Sequence, residues 1–245
     1  MKPVIIIGAG LAGYTLAREF RKLDRNTPLT IVTADDGGFY SKPMLSNALA
    51  QKKLPAQLVT QTAAQMATQL DAQILTGTRV SEIDSVGKTI DSSAGTINYS
   101  TLAIAVGAQP IRMNIAGDAA DQVLSVNNIA DYAIFRSRIA SSARVAILGA
   151  GLIGCEFADD LAGARHTVTL IDPNPLPLAA LAAPALSQGL QRALEARGVY
   201  MRLGTTAARI DDSPSGLRIA LADGTAFDAD IVLSAVGLRP DLALA

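Results

Sequence analysis

Val145-Ala146-Ile147-Leu148-Gly149-Ala150-Gly151-Leu152-Ile153-Gly154-Cys155-Glu156 decides how this chain is read. An apolar run of this kind suits a strand buried on both faces, and it leads into G-x-G-x-x-G. The residues after the motif then open a helix. In this arrangement the glycines allow a tight turn, close approach of the backbone to a pyrophosphate, and close helix–strand packing. The helix N-terminus offers free N–H groups and the positive end of its dipole to phosphate. Asp172 stands 18 residues past Gly154 (172 minus 154), after Val168-Thr169-Leu170-Ile171, where a carboxylate can accept hydrogen bonds from an adenosine ribose. A lone glycine motif says little; this one has the strand, the helix and the acid.

The pattern occurs twice. Val4-Ile5-Ile6-Ile7-Gly8-Ala9-Gly10-Leu11-Ala12-Gly13 repeats it at an offset of 141 (149 minus 8). Gly77-Thr78-Arg79-Val80 has an echo in Gly204-Thr205-Thr206-Ala207, and Ala105-Val106-Gly107 with Pro110 in Ala235-Val236-Gly237 with Pro240. A repeat this long is far above solenoid size. It describes two similar nucleotide-binding units in series, an α/β chain of two consecutive Rossmann-like domains. Two such sites suggest two dinucleotides exchanging electrons.

Composition narrows the class. Of 245 residues, 49% are hydrophobic and 18% charged, so a packed core is expected and disorder is not. A net charge of −1 gives no electrostatic case for nucleic acid or for an anionic membrane. Apolar runs are interrupted by Pro and Gly before reaching about 18 residues, which argues against a membrane span. The apolar N-terminus is one strand long and broken by glycines, unlike a signal peptide. A single cysteine rules out a disulfide framework and points to a reducing, cytoplasmic setting.

Along the chain, strands are expected at 4–7, 29–33, 74–75, 79–84, 89–91, 96–99 and 102–106. In the second half they are expected at 145–148, 168–171, 200–203, 208–211, 217–221 and 231–234. Helices are expected at 11–23, 57–70, 131–140, after Gly151, and from Pro184 to Arg197. In the first helix Leu11, Leu16, Phe20 and Leu23 should face the core, with Arg18, Glu19, Arg21 and Lys22 outward. Residues 34–47 read as irregular chain following a strand end, where open α/β sheets bind ligands. His166 reads as a surface residue, and no spacing suggests a metal site. Cys155 reads as a small buried hydrophobe, although its place near a helix N-terminus can lower a thiol pKa.

These features resemble the two-dinucleotide flavoprotein family that includes glutathione reductase, ferredoxin reductases and rubredoxin reductases. Thr33-Ala34-Asp35-Asp36-Gly37 with Tyr40-Ser41-Lys42-Pro43-Met44-Leu45-Ser46, and Ser234-Ala235-Val236-Gly237-Leu238-Arg239-Pro240, narrow the likeness to the rubredoxin-reductase branch. The resemblance implies an FAD-binding part over 1–112, an NAD-binding part over 113–237, and a return to the FAD part over 238–245. It implies FAD pyrophosphate on Gly8, Ala9, Gly10, Leu11, Ala12 and Gly13. The FAD ribose would lie near Thr33, Ala34 or Asp35, and the adenine against the backbone of Val80. Lys42 and Pro43 would approach the flavin ring, and Ala105, Gly107 and Gly237 count among the cofactor-binding positions. NAD would lie on Gly149, Gly151, Leu152, Ile153 and Gly154, with Asp172 on its ribose, and Glu156 would stand between flavin and nicotinamide. Lys42 and Glu156 are the candidate catalytic residues.

The family's redox cysteine pair is absent, so electrons would pass from flavin directly to an outside acceptor, a rubredoxin-like iron protein, with a ferredoxin or a nitrite-reducing partner as the alternative acceptors and a non-catalytic nucleotide-binding fragment as the alternative function. The family also carries a second FAD segment and an interface domain after the Gly-Leu-Arg-Pro stretch. The chain is therefore expected to be a fragment that binds NADH, holds FAD poorly, turns over negligibly and tends to aggregate.

Overall fold

A computed structural model describes residues 1–244. The chain forms two compact units: Met1–Ser41, Ala56–Gln109 and Pro240–Ala245 make the first, Lys42–Pro55 and Pro110–Arg239 the second.

In the first unit β1 (Val4–Ile7) runs through its glycine turn into α1 (Leu11–Leu23) and returns as β2 (Leu29–Val32). Two helices follow, α2 (Pro55–Leu58) and α3 (Ala63–Leu70), then β3 (Gln73–Leu75). Next come β4 (Val80–Asp84), β5 (Thr89–Ser92) and β6 (Gly95–Asn98), an antiparallel sheet, and β7 (Thr101–Ile104). The main sheet has the order β3-β2-β1-β7 with parallel pairing throughout; Val4 stands opposite both Leu29 and Thr101. Alternate residues of the apolar β1 run face opposite layers. Ile6 packs with Tyr14, Ala17 and Met66, whereas Ile5 and Ile7 pack with Val80, Ile90 and Tyr99.

The inner face of α1 differs from the expectation. Gly13, Tyr14 and Ala17 are its buried residues, whereas Leu11, Leu16 and Leu23 are 54%, 43% and 90% exposed. Small residues let this helix approach the sheet closely, and the one large inner residue is anchored by its polar end: the Tyr14 hydroxyl donates to the Gly37 carbonyl at 2.5 Å. The Tyr14 ring meets Phe39 edge-on, with centroids 5.7 Å apart. Nor do the two arginines simply face solvent. Arg18 lies 4.4 Å over the Phe39 ring, and Arg21 donates to the Leu70, Asp24, Thr27 and Asp71 carbonyls. Glu19 and Lys22 do form an exposed pair.

The single helix expected over 57–70 is broken. Residues 59–62 run extended because Thr60 and Gln61 donate to the Phe39 carbonyl, and Thr62 then starts α3 with a capping box closed by Gln65.

The chain leaves the first unit along β8 (Ala108–Pro110). In the second unit, α4 (Ile129–Arg138) precedes β9 (Arg144–Leu148), α5 (Leu152–Gly163), β10 (Thr167–Asp172), α6 (Pro184–Ala196) and β11 (Tyr200–Leu203). An antiparallel sheet of β12 (Ala207–Ser213), β13 (Gly216–Leu221) and β14 (Ala226–Ala229) follows, then β15 (Ile231–Ser234) and β16 (Leu238–Pro240). The sequence sets no bounds for β14, though Asp223-Gly224 suits a hairpin turn before it, and β14 pairs antiparallel with β13 across that turn. The parallel sheet has the order β11-β10-β9-β15, the same topology as the first unit, with a three-stranded antiparallel sheet at the same place in the chain. The sequence repeat is thus a structural repeat. Leu148, Ile171, Ile219 and Val232 belong to the core packed on this sheet.

Candidate functional site

The two glycine turns have the same construction. Gly8 (φ +110°) and Gly149 (φ +103°) need a backbone conformation that side chains disfavour, and a Cβ there would lie 2.3 Å from the Ala105 oxygen or 2.7 Å from the Ala235 oxygen. A Cβ on Gly13 or Gly154 would stand 1.9 Å from the carbonyl oxygen of Gly8 or Gly149. These four glycines are required by the fold's own packing. The middle ones are not: a Cβ on Gly10 or Gly151 meets nothing within 4 Å. Gly10 and Gly151 are also the N-caps of α1 and α5. Among the described residues no side chain caps either helix, and neither first turn carries an acid. Each turn therefore presents unpaired N–H groups beside open space, a cradle suited to an anionic ligand brought from outside.

Around these cradles stand the other residues read from the sequence. Ala9 is buried and Leu11 exposed beside Ala12 at the start of α1. Thr33 is buried past the end of β2, and its hydroxyl donates at 2.6 Å to Asp35, which also accepts from the Gly37 N–H. Ala34 and Asp35 are exposed, and Val80 is buried at the start of β4. Ala105 donates its N–H to the Ile7 carbonyl, and Gly107 accepts from Asp241. In the second unit Gly237 accepts from the Ile111 N–H, and Leu152 and Ile153 begin α5 with exposed side chains.

Asp172 is 9% exposed and already engaged. One oxygen accepts from the Ala150 N–H at 2.7 Å, inside the glycine turn; the other accepts from the Asn174 backbone and side-chain N–H groups, both at 2.8 Å. A carboxylate has about four acceptor sites, and three of them are used by these bonds. The Asn174 contact had no signal in the sequence beyond an Asn two residues after an Asp.

Segment Lys42–Pro55 joins the second unit. Lys42 and Pro43 lie on a 3-10 turn (Lys42–Ser46) and are exposed. Lys42 Nζ donates to Asn127 Oδ1 at 2.6 Å. Chain packed around its stem desolvates the ammonium and lowers its pKa, with Asp131 pulling the other way. Glu156 accepts from the Ser46 hydroxyl at 2.5 Å. Asn127 and Ser46 were not singled out from sequence, because their partners are 85 and 110 residues away.

Cys155 is buried, and its thiol contacts the Ala150 carbonyl at 3.4 Å. Burial pushes the thiol up to about 11, with Asp172 and Glu156 adding to the rise. Ellman's reagent should leave the folded chain unmodified and titrate one thiol after denaturation, and Cys155→Ser should keep the fold. Fast labelling under native conditions would contradict the burial.

His166 is half-buried rather than a surface residue, and its Nδ1 accepts from the Ala143 N–H at 3.1 Å. Burial holds its pKa below the usual value of 6.5, and an N–H donated to Nδ1 favours the neutral ring in the same direction. As pH falls below about 6.5 the unfolded chain takes up the proton first, so the neutral-His contribution is complete above that pH and is lost below it. His166→Asn offers an acceptor and cannot titrate. Between pH 7.5 and 5.5 its urea midpoint should fall less than that of the unaltered chain; parallel profiles would contradict this.

Comparison with known proteins agrees with this construction. The family model for pyridine nucleotide-disulphide oxidoreductases matches residues 2–245. A rubredoxin-NAD(+) reductase from Acinetobacter baylyi is 46% identical over 253 residues, covering 100% of this chain and 64% of that relative. A nitric oxide reductase FlRd-NAD(+) reductase from Aeromonas hydrophila is 38% identical, covering 100% of this chain and 63% of that one. The chain thus spans less than two-thirds of the length of these relatives. Among solved structures, the covalent putidaredoxin reductase–putidaredoxin complex matches with a TM-score of 0.88 and 27% identity over 97% of this chain and 58% of that one. With the family model matching nearly every residue and both glycine cradles built alike, this chain belongs to the pyridine nucleotide-disulphide oxidoreductase family.

Proposed function

We propose that this chain is the dinucleotide-binding portion of an NADH-dependent flavoprotein reductase that passes electrons to a rubredoxin-like small iron protein in the cytoplasm. The observation that carries the reading is the doubled cradle. Two glycine turns each keep one glycine, Gly10 or Gly151, that packing inside the chain does not require. FAD would lie on the first, within 1–112, and NADH on the second, within 113–237. Bound together, these groups would supply hydride acceptance from NADH and release of electrons one at a time, which side chains cannot do. The chain's own residues bind and orient. The first-turn amides of α1 and α5 would hold the two pyrophosphates, Thr33, Ala34 or Asp35 the flavin-side ribose, and Asp172 the ribose of NADH. Lys42 and Pro43 would border the flavin ring and Glu156 the nicotinamide. Pro173-Asn174-Pro175 offers no cation for a 2′-phosphate, which favours NADH over NADPH.

A route through a protein dithiol is disfavoured because the sole cysteine is buried with a raised pKa. The rubredoxin-NAD(+) reductase name of the relatives supports the acceptor class. No helix among the described residues is long and apolar enough to cross a membrane. The test is separate titration of the chain with NADH and with FAD, with flavin content measured after purification. Detectable NADH binding with weakly retained FAD is expected; a chain that binds neither nucleotide overturns the reading.

A further inference from the structure

The buried carboxylate of Asp160 has no part in the reading above. It is 5% exposed, on the face of α5 one turn beyond Glu156. Its two oxygens each accept a backbone N–H from segment Lys42–Pro55: Leu49 at 2.8 Å and Ala50 at 2.9 Å. A charge taken out of water persists only where its lone pairs are satisfied, and these two amides are what satisfies it. Burial raises the Asp160 pKa and the two amides lower it, in that order. The segment so held is well buried at Leu45, Ser46, Ala48 and Leu49. Its polar attachments to the rest of its unit include Lys42 to Asn127, Ser46 to Glu156, and Leu49 with Ala50 to Asp160. Of these, the last uses backbone groups of the segment and a buried acceptor, so it fixes the path of the chain rather than the end of a side chain.

We propose that Asp160 is a positioning residue: by gripping the Leu49 and Ala50 amides it holds segment Lys42–Pro55 on α5 and so sets where Lys42, Pro43 and Ser46 stand relative to Glu156. The consequence for electron transfer rests on the cofactor-facing roles given above to Lys42 and Glu156; the positioning itself does not. Asparagine at 160 keeps one acceptor and turns a donor toward the second amide, whereas alanine removes both acceptors.

The test uses the 245-residue chain and two variants, Asp160→Asn and Asp160→Ala, each checked for retained secondary structure by circular dichroism. Hydrogen exchange of the Leu49 and Ala50 amides should accelerate about tenfold or more, as expected when a charge-assisted hydrogen bond is lost, while β9 and β10 amides stay protected. Trace acetylation should show Lys42 labelled several-fold faster in the variants, with the exposed Lys22 as the unchanged reference. Faster exchange at 49 and 50 with unchanged Lys42 labelling would reduce Asp160 to a local structural contact and overturn the proposal, as would unchanged exchange. Should the alanine chain fail to fold, the asparagine chain decides by the same two readouts. Neither readout needs a nucleotide, so separate FAD and NADH titrations of the unaltered chain show whether the cofactor reading has failed instead.

Discussion

Gly151→Asp is expected to leave the second unit folded, and slightly more stable, while abolishing NADH binding. Gly151 is the N-cap of α5 at φ −72°, a conformation open to any residue, and a Cβ there touches nothing within 4 Å. Aspartate at an N-cap accepts from the first-turn amides and complements the helix dipole, a gain of about 0.3–1 kcal/mol. The same carboxylate occupies the cradle and takes the amides a pyrophosphate would use. Losing two charge-assisted hydrogen bonds of about 1.5–3 kcal/mol each weakens binding at least about 100-fold, and like-charge repulsion adds to that. Gly154→Ala should do the reverse in kind. Its Cβ would stand 1.9 Å from the Gly149 carbonyl oxygen, so the turn must shift, at about 3 kcal/mol or more of stability. Melting curves and NADH titrations on both variants separate the two glycine roles. Tight NADH binding by a folded Gly151→Asp chain would remove the cradle from the proposed site.

Asp172→Ala is expected to weaken NADH binding roughly 10- to 150-fold, the worth of a hydrogen bond to a charged group. The structure adds a second effect, because the carboxylate also accepts from Ala150 and Asn174. Removing it strands a buried amide within the glycine turn, so the melting temperature should fall as well. The two effects separate by comparing nucleotides. A ribose contact makes the loss larger for NADH than for NADPH, whose 2′-phosphate the carboxylate repels. A purely structural role lowers both affinities alike. Equal or tighter NADPH binding by the unaltered chain would sink the stated preference.

Much of the scaffold was legible because it depends on local rules. Continuous apolar runs ending in glycine turns located β1 and β9, and the repeat between them anticipated two sheets of one topology. Tyr200–Leu203 and Ile231–Ser234 fall where apolar patterning placed them. Local rules failed where a partner far along the chain decided. Helical spacing nominated Leu11, Leu16 and Leu23 for the core, yet α1 turns Tyr14 inward because Gly37 and Phe39 receive it. The helix read across 57–70 is interrupted because residues 60 and 61 find the Phe39 carbonyl.

The candidate site divides along the same line. The sequence by itself determined the glycine turns, the acid at the end of β10 and the absence of a dithiol, since each follows from residue type and spacing within one strand–helix unit. Which glycines the packing needs and which it leaves open became visible only when Ala105 and Ala235 were brought against Gly8 and Gly149 from about 90 residues away. The attachment of segment Lys42–Pro55 to the second unit was likewise decided by tertiary structure alone. It depends on two carboxylates of α5 meeting a hydroxyl and two amides more than 100 residues earlier, and a long-range contact of that kind leaves no periodicity in either segment.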